Sequence, residues 1–328
     1  MFEITEIDKP TYSIDKKIYR RFDQRNTAFS ILRKYPEKFG GNNKVLFNNE
    51  CHASDSLHDN KSFSKTLAST VETIKSQLLE TNIASEKNSD FSINNQDILE
   101  NTKNVKAAAS LFSADKSGIC KLNKNWIYSY SKEGTEIKLD DDMKYAVVLL
   151  SAMDSSAILE GTECDAQNAT MIGYLKGSLC ASSLALFIRN SGYKALCHDN
   201  NFALSIPLAI DAGLGEMSRN GMLVTPELGS LIRISKVITN MPLQIDKPIT
   251  MGIKDFCSKC SKCSNNCPAG AIDSSKKQNY NHITPCSNEG VQRWQIDASK
   301  CLKQWLKINI SCSRCLKVCP LNKILPKS

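Results

Sequence analysis

The chain has 328 residues, 41% hydrophobic and 23% charged, enough for one large domain or two modest ones with a sizeable core. Its formal charge of +8 is mild and its Lys and Arg are scattered. That excludes a massed nucleic-acid footprint and leaves at most a docking face for an acidic redox partner. No apolar run approaches about eighteen residues, so no membrane span is expected.

In chain order, residues 1–60 are polar and rich in Asn, Lys and Asp, an extended arm expected to have little core of its own. Arg20-Arg21 has the form of a twin-arginine export signal, but the following RRFDQRNTAF is polar and reads as mature sequence. The chain as it stands is expected in the cytoplasm, or exported and membrane-associated if a twin-arginine signal was removed. VETIKSQLL (71–79) and NTKNVKAAASLF (101–112) have helical composition, and AVVLL (146–150) reads as a central strand. GSLCASSLALFIRNSGYKA (177–195) has helical apolar spacing and stops at Ser191-Gly192. FALSIPLAIDAGLGEMSR (202–219) reads as a helical stretch broken by Gly213 and Gly215, in which Glu216 and Arg219 are expected to pair. His198 is expected to face solvent or bond the backbone. Three segments result: an N-terminal arm and helical region (1–104), an α/β or α+β core (105–250), and a Cys-rich module of short helices and loops (251–328).

The fourteen cysteines divide unevenly. Cys51, Cys120, Cys164, Cys180 and Cys197 stand singly and read as small buried apolar residues; Cys286 reads as a packed or free thiol. The other eight form two runs. Cys257-x2-Cys260-x2-Cys263-x3-Cys267-Pro268 has the bacterial-ferredoxin spacing for a [4Fe–4S] cluster, in which the fourth Cys leaves the loop and ligates the neighbouring cluster. Cys301 and Cys312-x2-Cys315-x3-Cys319-Pro320 supply the rest. The crossover assigns Cys257, Cys260, Cys263 and Cys319 to one cube and Cys301, Cys312, Cys315 and Cys267 to the other. Zinc favours paired CxxC motifs, and disulfide frameworks belong to small secreted domains, so both fit less well. A two-cluster ferredoxin needs only roughly sixty residues by this spacing. The long segment upstream is therefore expected to hold a redox centre that the clusters feed.

Several blocks carry a resemblance. They are KKIYRRFDQRNTAF (16–29), SADKSGICKLNKNWIYS (113–129), PLAIDAGLGEMSRNGMLVTPELGSLIR (207–233), ITNMPLQIDKPI (238–249), DFCSKCSKCSNNCPAGAI (255–272) and NEGVQRWQIDASKC (288–301). Together they resemble the corrinoid-dependent reductive dehalogenases, a family related in scaffold to epoxyqueuosine reductase. The resemblance implies a nitroreductase-like cobalamin-binding core and a ferredoxin-like module with two [4Fe–4S] clusters. It also implies a base-off cobalamin that the clusters reduce, and an organohalide substrate whose carbon–halogen bond becomes carbon–hydrogen. Tyr174 in TMIGY looks like the family's proton donor, Arg233 like its basic partner, and Asn200 like the polar residue that helps bind substrate or cofactor. Thr170 falls in the same block as a cofactor-binding position. Partners implied are a ferredoxin, flavodoxin or quinone-linked donor and a small membrane-anchor subunit, with no nucleic acid.

The chemistry is consistent with these residue types. Replacing halogen by hydrogen takes two electrons and a proton, and a phenol of pKa ~10 releases that proton more readily beside a guanidinium. Read without the resemblance, Tyr174 is a packing or capping residue at a helix start and Arg233 a structural ion-pair residue. Two other functions stay open at this point: an epoxyqueuosine reductase acting on tRNA, and a ferredoxin-like carrier without cobalamin.

Overall fold

Residues 2–40, 61–80 and 97–324 are described by a computed structural model. The N-terminal part forms β1 (Thr5–Glu6), α1 (Ala28–Lys34), α2 (Lys61–Glu80) and α3 (Ile98–Leu111). The core follows with β2 (Lys116–Lys121), β3 (Tyr145–Ala152), α4 (Ser155–Leu159), α5 (Glu163–Asn190), β4 (Ala195–His198) and α6 (Ser205–Asp211). Then come β5 (Glu216–Met217), β6 (Leu223–Val224), β7 (Ile232–Thr239) and β8 (Ile249–Thr250). The Cys-rich module contains α7 (Ile253–Lys259), α8 (Lys262–Asn265), α9 (Ala298–Ile308), α10 (Arg314–Lys317) and α11 (Leu321–Ile324).

The main sheet has the order β2-β3-β7-β4, with every neighbouring pair antiparallel. That arrangement selects α+β from the two classes the sequence allowed. β3 is buried on both faces, which explains its unbroken apolar run. Ala146, Val148 and Leu150 pack with Trp126 and Leu208 on one side. Val147 and Leu149 pack with Val105, Leu184 and Ile188 of α3 and α5 on the other. Each fully buried aliphatic side chain contributes roughly 1.5–3 kcal/mol, so this double-sided strand anchors the core.

Helix α5 begins at Glu163, well before the stretch expected from apolar spacing. Thr162 and Asp165 close a capping box at its start, and the Gly192 turn (φ 89°) ends it as expected. By length and composition alone α5 could cross a membrane, but half of its most apolar window is buried and it packs on β3, β4 and β7.

The helix expected over 202–219 spans only Ser205–Asp211. Gly213 (φ 72°) turns the chain out of the helix, and a Cβ on Gly215 would lie 2.1 Å from the Val224 carbonyl oxygen. The chain therefore enters β5 as a tight ribbon, and the expected Glu216–Arg219 pair does not form. Glu216 instead accepts from Met251 N (2.8 Å) and Ile253 N (2.9 Å), fixing the start of α7. Arg219 turns toward the Cys-rich module.

The described part of the N-terminal arm, residues 2–40, packs against other elements. Tyr12 and Tyr19 meet Trp126 edge-on, with ring centroids 4.9 and 5.8 Å away. Leu32 of α1 packs with Leu302 of α9, and β1 pairs with β8. Among the single cysteines, Cys120 and Cys180 are buried free thiols, Cys197 is buried with its sulfur 3.4 Å from Ser182 Oγ, and Cys286 is half-buried. Cys164 departs from the expectation: it is buried but disulfide-bonded, a pairing that an isolated cysteine in the sequence does not announce. Cys51 lies outside the described residues.

Candidate active site and cluster module

Tyr174 lies in the middle of α5, not at a helix start, because the capping box moves the start to Glu163. Its neighbour Gly173 faces β7, where an added Cβ would lie 3.0 Å from Arg233 Cγ and 3.1 Å from Met153 Cγ. The missing side chain lets Arg233 lie along the helix. The guanidinium carbon sits 4.8 Å from the centre of the Tyr174 ring, and Nη2 donates to Thr170 Oγ1 at 3.0 Å. Asn200, in the turn after β4, donates from Nδ2 to the Tyr174 hydroxyl at 2.6 Å. The four site residues singled out in the sequence thus converge from a helix, a strand and a turn. Asn201 has a different task, accepting from Gln24 Nε2 at 2.9 Å and donating to Asp199.

Two lysines that sequence reasoning missed support this group. Lys75 of α2 lies 5.2 Å from the Tyr174 ring centre and 3.5 Å from the Asp199 carboxylate. Burial opposes its charge, but Asp199 and Glu72 hold the ammonium above its ordinary range. Lys236 of β7 is fully buried and donates to the Asp199 carbonyl and, at 2.9 Å, to Ser205 Oγ. Burial pushes it down to about 7, partly offset by Asp199. A lysine within the pattern RISKVIT gave one signal: charge at a position that strand alternation sends into the core. His198, opposite Lys236 in the sheet, is half-buried, and among the described residues its ring makes no hydrogen bond to the backbone. It stacks on Phe202 at 4.2 Å with a buried, unpartnered Nε2, and burial and then Lys236 push it down to about 3.

Lys75, Thr170, Tyr174, Asp199, Asn200 and Arg233 line a cavity of about 750 Å³, within the usual range for a sizeable organic ligand. Its wall also includes Gln167, Asn288 and Trp305. Among the described residues, the buried donors Gln167 Nε2, Arg233 Nε and Trp305 Nε1 have no hydrogen-bond partner. Unpaired buried donors are rare, and three lining one cavity fit a large ligand rich in acceptors, as the amide-fringed corrin ring is. Trp305 of α9 brings the Cys-rich module to the cavity wall.

The module brings its eight cysteines into two groups, and all eight are free thiols. Around Cys257 lie Cys263, Cys319 and Cys260; burial and then their charges push its thiol up to about 12, against a hydrogen bond from the Arg219 backbone N–H. Burial again pushes the Cys315 thiol up to about 12, followed by the charges of Cys301, Cys312, Cys263 and Cys267. Buried thiols that repel one another as thiolates are stable in that form only around a cation, which suits metal clusters. Among the described residues no three His, Cys, Asp or Glu side chains are grouped for a single metal ion. The module is tied to the core where Ser311 N donates to Gln167 Oε1 at 3.0 Å and Ser230 N to Asn322 Oδ1 at 2.8 Å.

An antiparallel α+β core whose ligand cavity adjoins a ferredoxin-like module defines an iron–sulfur redox protein. Residues 256–323 match the 4Fe-4S dicluster domain family. The tetrachloroethene reductive dehalogenase of Sulfurospirillum multivorans is 32% identical over 257 residues, covering 69% of this chain and 51% of that protein. The catabolic reductive dehalogenase NpRdhA, solved with 3-bromo-4-hydroxybenzoic acid, superposes with a TM-score of 0.77 at 26% identity, covering 98% of this chain and 45% of that one. A reductive dehalogenase structure described in terms of B12-dependent dehalogenation gives 0.73 at 26% identity, covering 97% and 44%. The epoxyqueuosine reductase of Bacillus subtilis is 33% identical over a shorter 127 residues, 34% of this chain and 27% of that protein. The chain is a homologue of these reductive dehalogenases, and the epoxyqueuosine reductase is a relative over the shorter stretch. It spans about half the length of the curated dehalogenase it matches.

Proposed function

We propose that the protein is a reductive dehalogenase that replaces a carbon–halogen bond of an organohalide by carbon–hydrogen. One observation carries the reading: the Tyr174 hydroxyl is held by Asn200 at 2.6 Å and flanked by Arg233, on the wall of a cavity beside a dicluster module. The ligands of one [4Fe–4S] cluster are Cys257, Cys260, Cys263 and Cys319, and those of the other are Cys301, Cys312, Cys315 and Cys267. A cobalamin bound in the cavity would supply the reduced metal chemistry needed to break a carbon–halogen bond. Gln167, Asn288 and Trp305 on the cavity wall would help hold it, and Thr170 positions Arg233.

The chain's own residues manage the proton. Asn200 donates to the Tyr174 oxygen and so favours the phenolate left when Tyr174 gives its proton to the substrate carbon. Arg233 over the ring stabilises the same charge. Asp199, clamped by Lys75 and Lys236, keeps the turn that carries Asn200 in place. An external ferredoxin-, flavodoxin- or quinone-linked donor refills the clusters, and a small membrane subunit is a further partner of this reading.

The test is anaerobic reconstitution with iron, sulfide and cobalamin, followed by halide release from a panel of aryl and alkenyl halides under a reduced artificial donor. Halide release that depends on cobalamin is expected. A protein that binds both clusters yet takes up no corrinoid would leave the electron-carrier reading instead.

A further inference from the structure

Arg219 is 1% exposed, and among the described residues it forms no ion pair. Its guanidinium donates only to backbone carbonyls. Nε and Nη2 reach Cys257 O at 3.2 and 2.6 Å, and Nε reaches Cys260 O at 3.0 Å. Nη1 reaches Asp273 O at 2.9 Å and Ser275 O at 2.6 Å. The nearest acidic candidates are committed elsewhere. Glu216 serves Thr250, Met251 and Ile253, and the Asp273 carboxylate accepts from Ser275 and Asn279. The cation stacks on Trp294, its central carbon 4.6 Å from the ring centre, which keeps water from it.

A buried guanidinium without a carboxylate is costly unless another anion answers it. The candidates at hand are the thiolates. Two of the carbonyls that grip Arg219 belong to Cys257 and Cys260, its backbone N–H donates to the Cys257 sulfur, and its charge favours the thiolate of Cys263. We propose that Arg219 is the fixed counter-charge of the cluster held by Cys257, Cys260, Cys263 and Cys319, and that it raises that cluster's reduction potential. The inference rests on the ligand assignment above. A cube bound by four thiolates is anionic and becomes more so on reduction, so a nearby buried cation favours the reduced state. No matching cation is gripped by the ligand carbonyls of the second group among the described residues, so the effect falls on one cluster.

The experiment is an EPR-monitored redox titration of the reconstituted full chain with dithionite and mediators, on the unsubstituted protein, Arg219→Met and Arg219→Lys. Iron is counted first: a value well short of eight per chain in the unsubstituted protein overturns the ligand assignment itself, apart from any role of Arg219. With iron complete, Arg219→Met is expected to move one of the two potentials to a more negative value and leave the other in place. Arg219→Lys, which keeps the charge, is expected to hold both close to the original. If Arg219→Met instead sheds half its iron while Arg219→Lys keeps all of it, the counter-charge is supported by stoichiometry. Unchanged potentials in Arg219→Met, or equal shifts or equal iron loss in both variants, would show that packing rather than charge is at work and overturn the proposal.

Discussion

Asn200 Nδ2 donates to the Tyr174 hydroxyl at 2.6 Å, although the two residues stand 26 positions apart on a turn and a helix. The bond makes the phenol oxygen an acceptor before any substrate arrives. It also leaves the hydroxyl proton free to point into the cavity. In the proposed reaction this bond would favour the oxygen left after Tyr174 gives up its proton.

Removing that hydroxyl is the direct test. Tyr174→Phe is expected to lower halide release by about a hundredfold or more, the usual scale for a positioned general acid. Cluster and corrinoid spectra should be unchanged. Steady-state halide assays beside absorption and EPR spectra check both halves, and full turnover by the variant would remove Tyr174 from the reaction.

Gly173→Ala separates stability from function. A methyl group at 3.0 Å from Arg233 Cγ must push the guanidinium away from the Tyr174 ring. Misplacing a catalytic group by part of an ångström lowers turnover by about tenfold to a hundredfold. Alanine within a helix also gains roughly 0.5–1 kcal/mol over glycine. The expected result is a slower enzyme whose thermal midpoint holds or rises; an equally active variant would show that Arg233 can move without consequence.

Cys267→Ser tests the crossover between the two runs. Cys267 acts electrostatically on Cys301 and Cys315, as the proposed grouping requires. Iron is expected to fall by about half, and the EPR signal that survives should be the one that Arg219→Met shifts. Loss of that signal, with the other retained, would contradict the grouping.

Lys236 gives the site a pH signature. Its folded-state pKa is pushed down to about 7, below the ~10.4 of an unfolded lysine. The unfolded chain therefore binds more protons between these values, so the burial penalty is complete below about 7 and fades as pH rises toward 10. Relative to Lys236→Met, the unsubstituted protein should gain thermal stability as pH goes from 7 to 9. The slope has an upper limit of about 1.4 kcal/mol per pH unit for one proton. Anaerobic thermal shift across that range is the measurement, and parallel curves for the two proteins would rule out the titration.

The cysteine runs could be read directly because a cluster loop is a local object. Short spacings put neighbouring thiols within reach of one cube, and only the fourth position of each run needs the fold. β3 was equally legible, since an unbroken apolar run of strand length can be buried only on two faces. The Glu216–Arg219 pair was misread for an equally local reason. Helical spacing was extended through Gly213 and Gly215, where positive φ turns the chain into a strand. Once the helix ends, residues three apart no longer share a face.

What the sequence alone determined is the iron–sulfur module and the alternation of strand and helix, both set by contacts within a few residues. What only the tertiary structure decided is the site. Tyr174, Asn200 and Arg233 resembled a family pattern, but their meeting depends on a register that sets Arg233 beside Ser151 and on a glycine that opens room for it. Lys75 comes from a separate helix and Lys236 from the interior of a strand, so no spacing rule connects either with Tyr174. Arg219 changed most, from half of a helix surface pair to a buried charge beside a cluster. Its meaning lies in which anions surround it, and those come from residues far along the chain.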